Sequence, residues 1–118
     1  MTPEWQEDLA AAVAQVLADK DKIRGVLLAS VKTTFFAGAE LKGVLKLSAA
    51  DAAEGFKRIE ALKKGFRQLE TMGRPVVALL NGTALGGGWE VALAAHARFA
   101  IDDRKIQFGT PEVSLGLI

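Results

Sequence analysis

Three consecutive glycines, Gly86-Gly87-Gly88, stand between two apolar segments, and few arrangements of a chain accommodate them. Upstream, Val76-Val77-Ala78-Leu79-Leu80 has the composition of a buried strand and stops at Asn81-Gly82, a strong turn pair. Downstream, Trp89, Val91, Ala92, Leu93, Ala94 and Ala95 predict a short buried helix. Glycines at a strand-to-helix junction permit backbone angles and close approaches that a Cβ forbids. They also leave amide N–H groups uncovered at a helix N-terminus, where the helix dipole favours negative charge. Such a turn is either a tight connection between a helix and a sheet or a backbone site for an oxyanion. Glu90, in the first helical turn, fits an ordinary dipole-complementing role worth about 0.3–1 kcal/mol as well as it fits chemistry. On composition alone the plain connection is the simpler reading.

The rest of the composition narrows the class. A chain of 118 residues suffices for one ordinary domain, residues 1–118, with a real core. Half of the residues are hydrophobic and 25% are charged, which is the balance of a globular protein. A formal net charge of +1 gives no footprint for nucleic acid. The chain has no cysteine, so thiolate catalysis, disulfides and Cys-ligated zinc are out, and its one histidine cannot form a His-ligand cluster; no metal is expected. No apolar run reaches the ~20 residues of a membrane span, and no signal-peptide core is present at the N-terminus. The expectation is a cytoplasmic protein.

Taken in order, Thr2 (N-cap) and Pro3 open a helix over residues 2–19, with Trp5, Leu9, Ala12, Val13, Val16 and Leu17 on one face. Ile23 to Val31 is an almost unbroken apolar run and predicts a parallel strand covered on both faces. Thr33 to Lys42 predicts a loop entering a helical turn, with small residues Ala37, Gly38 and Ala39 that let a ligand approach the backbone. Ser48-Ala49-Ala50-Asp51 has the form of a capping box with Asp in place of Glu. It would start a long helix with Phe56, Ile59, Leu62, Phe66 and Leu69 as its apolar stripe and a basic, solvated face of Lys57, Arg58, Lys63, Lys64 and Arg67. Gly73 and Pro75 stop that helix. Strands are predicted at Arg98–Ile101 and Lys105–Phe108, after which Gly109-Thr110-Pro111 presents a second carboxylate, Glu112. Helices alternate with strands, so the architecture is α/β with at least two parallel crossover units.

Familiar motifs are excluded one by one. The glycines do not continue as G-x-G-x-x-G, since Val91 stands where the last glycine belongs. Neither a P-loop nor a G-x-S-x-G elbow is present, and His96, among alanines, suits packing or capping better than catalysis. Two carboxylates and two backbone loops remain, a set suited to polarising a carbonyl and moving protons at neighbouring carbons.

Phe36-Ala37-Gly38-Ala39-Glu40-Leu41, Gly82 through Glu90, and Gln107 through Glu112 together resemble the crotonase superfamily, in particular enoyl-CoA hydratase. The wording is closest to the hydratase portion of multifunctional fatty-acid oxidation proteins. The resemblance implies a crotonase-like α/β fold of ββα superhelical type, here a partial domain without the first strands and the C-terminal helical region. It implies hydration of a trans-2-enoyl-CoA to 3-hydroxyacyl-CoA in fatty-acid β-oxidation. Glu90 and Glu112 would be the catalytic carboxylates, and the amides of Ala39 and Gly87 the oxyanion hole. Ala37, Ala39, Glu40, Leu41, Lys42 and Gly87 would contact the substrate and its CoA part. No cofactor is implied beyond coenzyme A within the substrate. The implied partners are the acyl-CoA and further copies of the chain in a trimer-based homo-oligomer, or the rest of a larger multifunctional chain. Glu40 replaces the family's usual aspartate, and Trp89 is bulky for its position. Two alternatives share the fold or the ligand: an enoyl-CoA δ-isomerase using one carboxylate as shuttle, and a non-catalytic acyl-CoA-binding fragment.

Overall fold

The computed structural model describes residues 2–37 and 48–115. Helix α1 (Pro3–Ala18) begins as the sequence predicts: the Thr2 hydroxyl accepts the Trp5 amide at 3.2 Å, and Pro3 stands in the first turn, where its missing N–H costs nothing. Strand β1 (Val26–Ala29) follows. A single 3-10 turn, Ala49–Asp51, leads into helix α2 (Ala52–Thr71). The Asp51 carboxylate accepts the Ser48 amide at 2.9 Å and the Ser48 hydroxyl at 2.7 Å, the reciprocal half of the predicted capping box. Those two donors, the backbone amide first, hold the Asp51 carboxyl below its ordinary range. Helix α2 stops just ahead of Gly73 and Pro75. Strand β2 (Val76–Leu80), strand β3 (Ala84–Leu85), helix α3 (Gly87–Leu93), strand β4 (Ala97–Ala100), strand β5 (Phe108–Gly109) and a 3-10 turn at Pro111–Leu115 complete the described chain.

Strands β1, β2 and β4 form a parallel sheet in the order β1-β2-β4. Register pairs Leu27 with Val77 and Leu79 with Phe99. The order never reverses, so crossovers of the usual hand set α2 and α3 on one face of the sheet. That face holds the core. Val76, Ala78 and Leu80 on β2 are at most 3% exposed and join Val13 of α1, Leu69 of α2, and Ala92 and Ala95 at the end of α3. Leu9, Val16, Leu17, Val26 and Leu28 pack around them.

The opposite face departs from expectation. The run Ile23–Val31 predicts a strand covered on both sides, but only Val26–Ala29 is strand, and Leu27 is 68% exposed. One-sided crossovers leave that face without a layer from this chain's described helices. Phe99 there is equally open. The stripe on α2 is also only half covered: Leu69 is buried, whereas Phe56 and Ile59 are exposed. Its basic side is solvated as predicted, with Arg58–Glu54, Lys63–Glu60 and Arg67–Glu70 paired along the helix at 2.7–3.1 Å. Exposed pairs of this kind stabilise little. Among the described residues, no helix is long and apolar enough to cross a membrane.

His96 is a structural staple. Its Nδ1 accepts the amide of fully buried Val76 at 3.0 Å, its Nε2 lies 3.0 Å from the Glu70 carbonyl, and its own amide donates to the Val76 carbonyl at 2.9 Å. With Nδ1 accepting, the proton belongs on Nε2, so the ring is neutral and joins the end of α2 to the start of β2. Arg98 Nη1 donates to the Ala95 carbonyl just past α3 at 2.8 Å and to the Ala92 carbonyl in the last turn of α3 at 3.4 Å, which closes that end of the helix. His96→Ala is expected to cost about 1–3 kcal/mol in denaturant unfolding, because the Val76 amide is left buried and unpaired. His96→Asn, whose Oδ1 can take the place of Nδ1, is expected to recover part of that loss; equal destabilisation by both substitutions would contradict the staple.

Candidate functional site

Three very short extended segments run parallel beside the main sheet. Phe36 bridges to Ala84, and β3 pairs with β5 so that Ala84 faces Phe108 and Leu85 faces Gly109. The Phe36 amide donates to Thr83 and its carbonyl accepts from Leu85, at 3.3 and 3.1 Å. On the other side, the Ala84 amide donates to Gln107 at 2.9 Å and the Gly86 amide to Gly109 at 2.8 Å. Parallel pairing puts the carboxyl ends of all three segments on one edge. From that edge emerge Ala37, the Gly86-Gly87-Gly88 turn, and Thr110-Pro111-Glu112. This is where α/β folds bind ligands.

Asn81 makes the alignment possible. Its side-chain amide donates to the Lys32 carbonyl at 2.6 Å and the Ser30 carbonyl at 3.3 Å, which pins the chain leaving β1 to the end of β2. Trp5 of α1 packs on Phe36 with ring centroids 4.9 Å apart and holds the same loop from outside.

The glycines each meet a steric demand. Gly86 has φ 56° and ψ −128°, a conformation that L side chains rarely adopt. Its Cα faces Glu112, and a Cβ there would collide with Glu112 Oε1. Gly88 is buried against the Phe36 carbonyl, and a Cβ would overlap that oxygen. Gly87, between them, stays partly exposed at the start of α3. The first amides of a helix have no partner within it, so Gly87 N–H is free for a ligand in the helix's own hydrogen-bond pattern. Among the described residues, Glu112 Oε2 is buried with no hydrogen-bond partner. A buried, unpaired carboxylate oxygen costs stability and needs a reason.

The sequence-predicted residues are therefore distributed as follows. The structure brings Glu112, Gly87 and Ala37 to one edge. Ala37 also borders a cavity of about 560 Å³ shared with Trp5, Phe36 and Val91. Glu90 is exposed on α3 and borders a different groove, of about 570 Å³, between α3 and the Lys63, Phe66 and Arg67 side of α2. Glu112 lines neither cavity. Ala39, Glu40, Leu41 and Lys42 lie outside the described residues. Among the described residues, no group of three His, Cys, Asp or Glu side chains could hold a metal ion. Sequence reasoning missed two contributors, Asn81 as a clamp and Trp89 as a partner of Phe108, whose rings stack with centroids 5.3 Å apart at 22°. The Asn-Gly pair signalled a turn but not the carbonyls that Asn81 would reach. Nothing local to Trp89 indicates Phe108.

Comparison with known proteins identifies the fold and the family. The chain is 40% identical over 119 residues to the fatty acid oxidation complex subunit alpha of Shewanella loihica, covering 98% of the chain and 16% of that relative. Its fold superimposes on the crystal structure of enoyl-CoA hydratase from Thermoplasma volcanium with a TM-score of 0.79 at 28% identity, over 98% of this chain and 44% of that one. The enoyl-CoA hydratase from Bacillus anthracis gives a TM-score of 0.81 at 27% identity, over 100% and 44%. The chain thus spans less than half the length of the solved structures and a much smaller part of the curated relative. Its fold is crotonase-like, and since residues 1–118 match the Enoyl-CoA hydratase/isomerase family along their whole length, the chain belongs to that family.

Proposed function

We propose that this chain carries enoyl-CoA hydratase chemistry: addition of water across the 2,3 double bond of a trans-2-enoyl-CoA to give a 3-hydroxyacyl-CoA, a step of fatty-acid β-oxidation. The observation that carries the reading is the seat of Glu112, its carboxylate against Gly86 and one oxygen buried without a partner, beside the helix-start amide of Gly87. An acceptor with no partner among the described residues, next to an amide that the helix's own pattern leaves free, is a place for a water and a carbonyl oxygen.

In this reading the thioester oxygen accepts the Gly87 amide, with the Ala39 amide as second donor. Polarising the carbonyl draws electrons from the conjugated double bond and makes C3 electrophilic. Water held between Glu112 and Glu90 then attacks C3. One carboxylate takes a proton from the water, the other supplies a proton to C2, and the balance closes when the two groups exchange a proton. Charge on the thioester oxygen exists only during this addition, so donors aimed at it accelerate the step and do not merely tighten binding. Ala37, Glu40, Leu41 and Lys42 belong to the CoA-binding loop, with Lys42 suited to a phosphate. The reading needs no cofactor besides the coenzyme A of the substrate. It includes assembly as a trimer-based homo-oligomer or within a larger multifunctional chain, and a cytoplasmic setting.

One observation favours a second reading. Glu112 alone sits on the glycine turn, whereas Glu90 borders the groove toward α2. A single carboxylate at the polarised thioester would move a proton between C2 and C4 and so shift a double bond, the chemistry of an isomerase. A chain that only binds acyl-CoA is the third possibility.

Products separate these readings. With a short trans-2-enoyl-CoA, hydration removes the conjugated thioester absorbance, and Glu90→Gln and Glu112→Gln are each expected to slow that loss by about 10²–10⁴-fold. If only Glu112→Gln matters and a 3-enoyl-CoA gains conjugation, the isomerase reading wins; binding without either change leaves the non-catalytic one. Gly87→Pro removes an N–H that every other substitution keeps and is expected to lower turnover by at least about 10²–10³-fold. Normal turnover in that variant would contradict the oxyanion role.

A further inference from the structure

The stack of Trp89 on Phe108 plays no part in the chemistry above, yet it joins the two segments that bear the carboxylates. Trp89 directly precedes Glu90 on α3. Phe108 opens β5, and the chain from it reaches Glu112 through Gly109, Thr110 and Pro111. Their rings lie nearly parallel, at 22°, with centroids 5.3 Å apart. Trp89 is half-buried and packs on the core, so it is the fixed member; Phe108 is 38% exposed and rests on it.

Backbone alone holds this junction weakly. Strands β3 and β5 are two residues long, so their ladder contributes few hydrogen bonds. Gly109, with φ 156°, has no Cβ to pack, and nothing among the described residues crowds its Cα. Beyond it, in the 3-10 turn, the Glu112 carboxylate meets Gly86 in the glycine turn that opens α3. Stacked aromatic rings resist sliding and tilting because offset geometry is preferred. The pair thus supplies a side-chain contact that ties the helix carrying Glu90 to the strand leading to Glu112.

We infer that Trp89 and Phe108 are a positioning pair: their stack sets how the Glu112 turn sits against the start of α3. The effect on rate rests on the hydration reading; the effect on the placement of Glu112 does not.

The test uses the full chain labelled with 13C at glutamate carboxyls, with the Glu112 resonance assigned by its loss in Glu112→Gln. In the wild type that resonance is expected to stand apart from those of the exposed glutamates. Trp89→Ala and Phe108→Leu are each expected to move it toward them, while Trp89→Phe, which keeps a stacking ring, retains its position. Phe108→Leu keeps apolar bulk at a half-open site and guards against simple unfolding in Trp89→Ala. Where the wild type hydrates enoyl-CoA, kcat is expected to fall by about 10–100-fold in the two disruptive variants with KM little changed, and to recover in Trp89→Phe. A Glu112 resonance unmoved in folded Trp89→Ala and Phe108→Leu overturns the inference. A wild type without hydratase activity whose Glu112 resonance still follows the stack overturns the hydration reading and supports the pair.

Discussion

Parallel alignment of Phe36, β3 and β5 is the constraint from which the rest of the site follows. Segments this short cannot hold themselves together by hydrogen bonds, so each is fixed by something outside the ribbon. Asn81 and Trp5 secure the Phe36 segment, the turn after β2 secures β3, and Thr83 Oγ1 accepts the Gln107 amide at 3.2 Å where β5 begins. Once aligned, the three carboxyl ends have no choice but to meet. Gly86 is then forced into a positive φ while its amide reaches Gly109, and Glu112 is delivered onto its bare Cα. A backbone donor and an acidic side chain become neighbours through strand pairing, not through closeness in sequence.

The main sheet serves this ribbon by being one-sided. Strand order β1-β2-β4 carries α2 and α3 to the same face, so the core gathers around Val76, Ala78 and Leu80, and the helix that begins at Gly87 is anchored there by Ala92 and Ala95. Arg98 and His96 close the far end of the same unit. An amide that must stay fixed while charge develops on a ligand is useful only if its helix cannot shift, and burial of the helix's small face gives that rigidity. The other face of the sheet, with Leu27 and Phe99 exposed, contributes nothing to it.

Local chemistry was legible wherever its cause was local. Thr2 and Pro3 announce α1, Ser48 and Asp51 announce α2, and Asn81-Gly82 with three glycines announces the turn, each because the residue acts on its own backbone neighbours. Non-local pairing was not. An apolar run such as Ile23–Val31 does not reveal whether one or both faces are covered, so β1 was expected longer and more buried than it is. Lys105–Phe108 has the composition of a strand, but pairing begins only at Phe108 and is with β3. Trp89 looked out of place until Phe108 was found beside it. The burial of Glu112 against Gly86 has no signature at either residue, since it depends on the register of a ribbon built from three distant parts of the chain.

In the proposed reading a ligand carbonyl lies against the first amide of α3, and a vibrational measurement reads that contact directly. Isotope-edited infrared difference spectra of an acyl-CoA labelled with 13C at its thioester carbonyl would compare the stretch in solution and on the protein. Hydrogen bonding from Gly87 is expected to lower that frequency on binding, and to lower it less when the amide is removed. A bound thioester whose carbonyl frequency equals that in an apolar solvent would contradict the claim, because no donor would then face the oxygen.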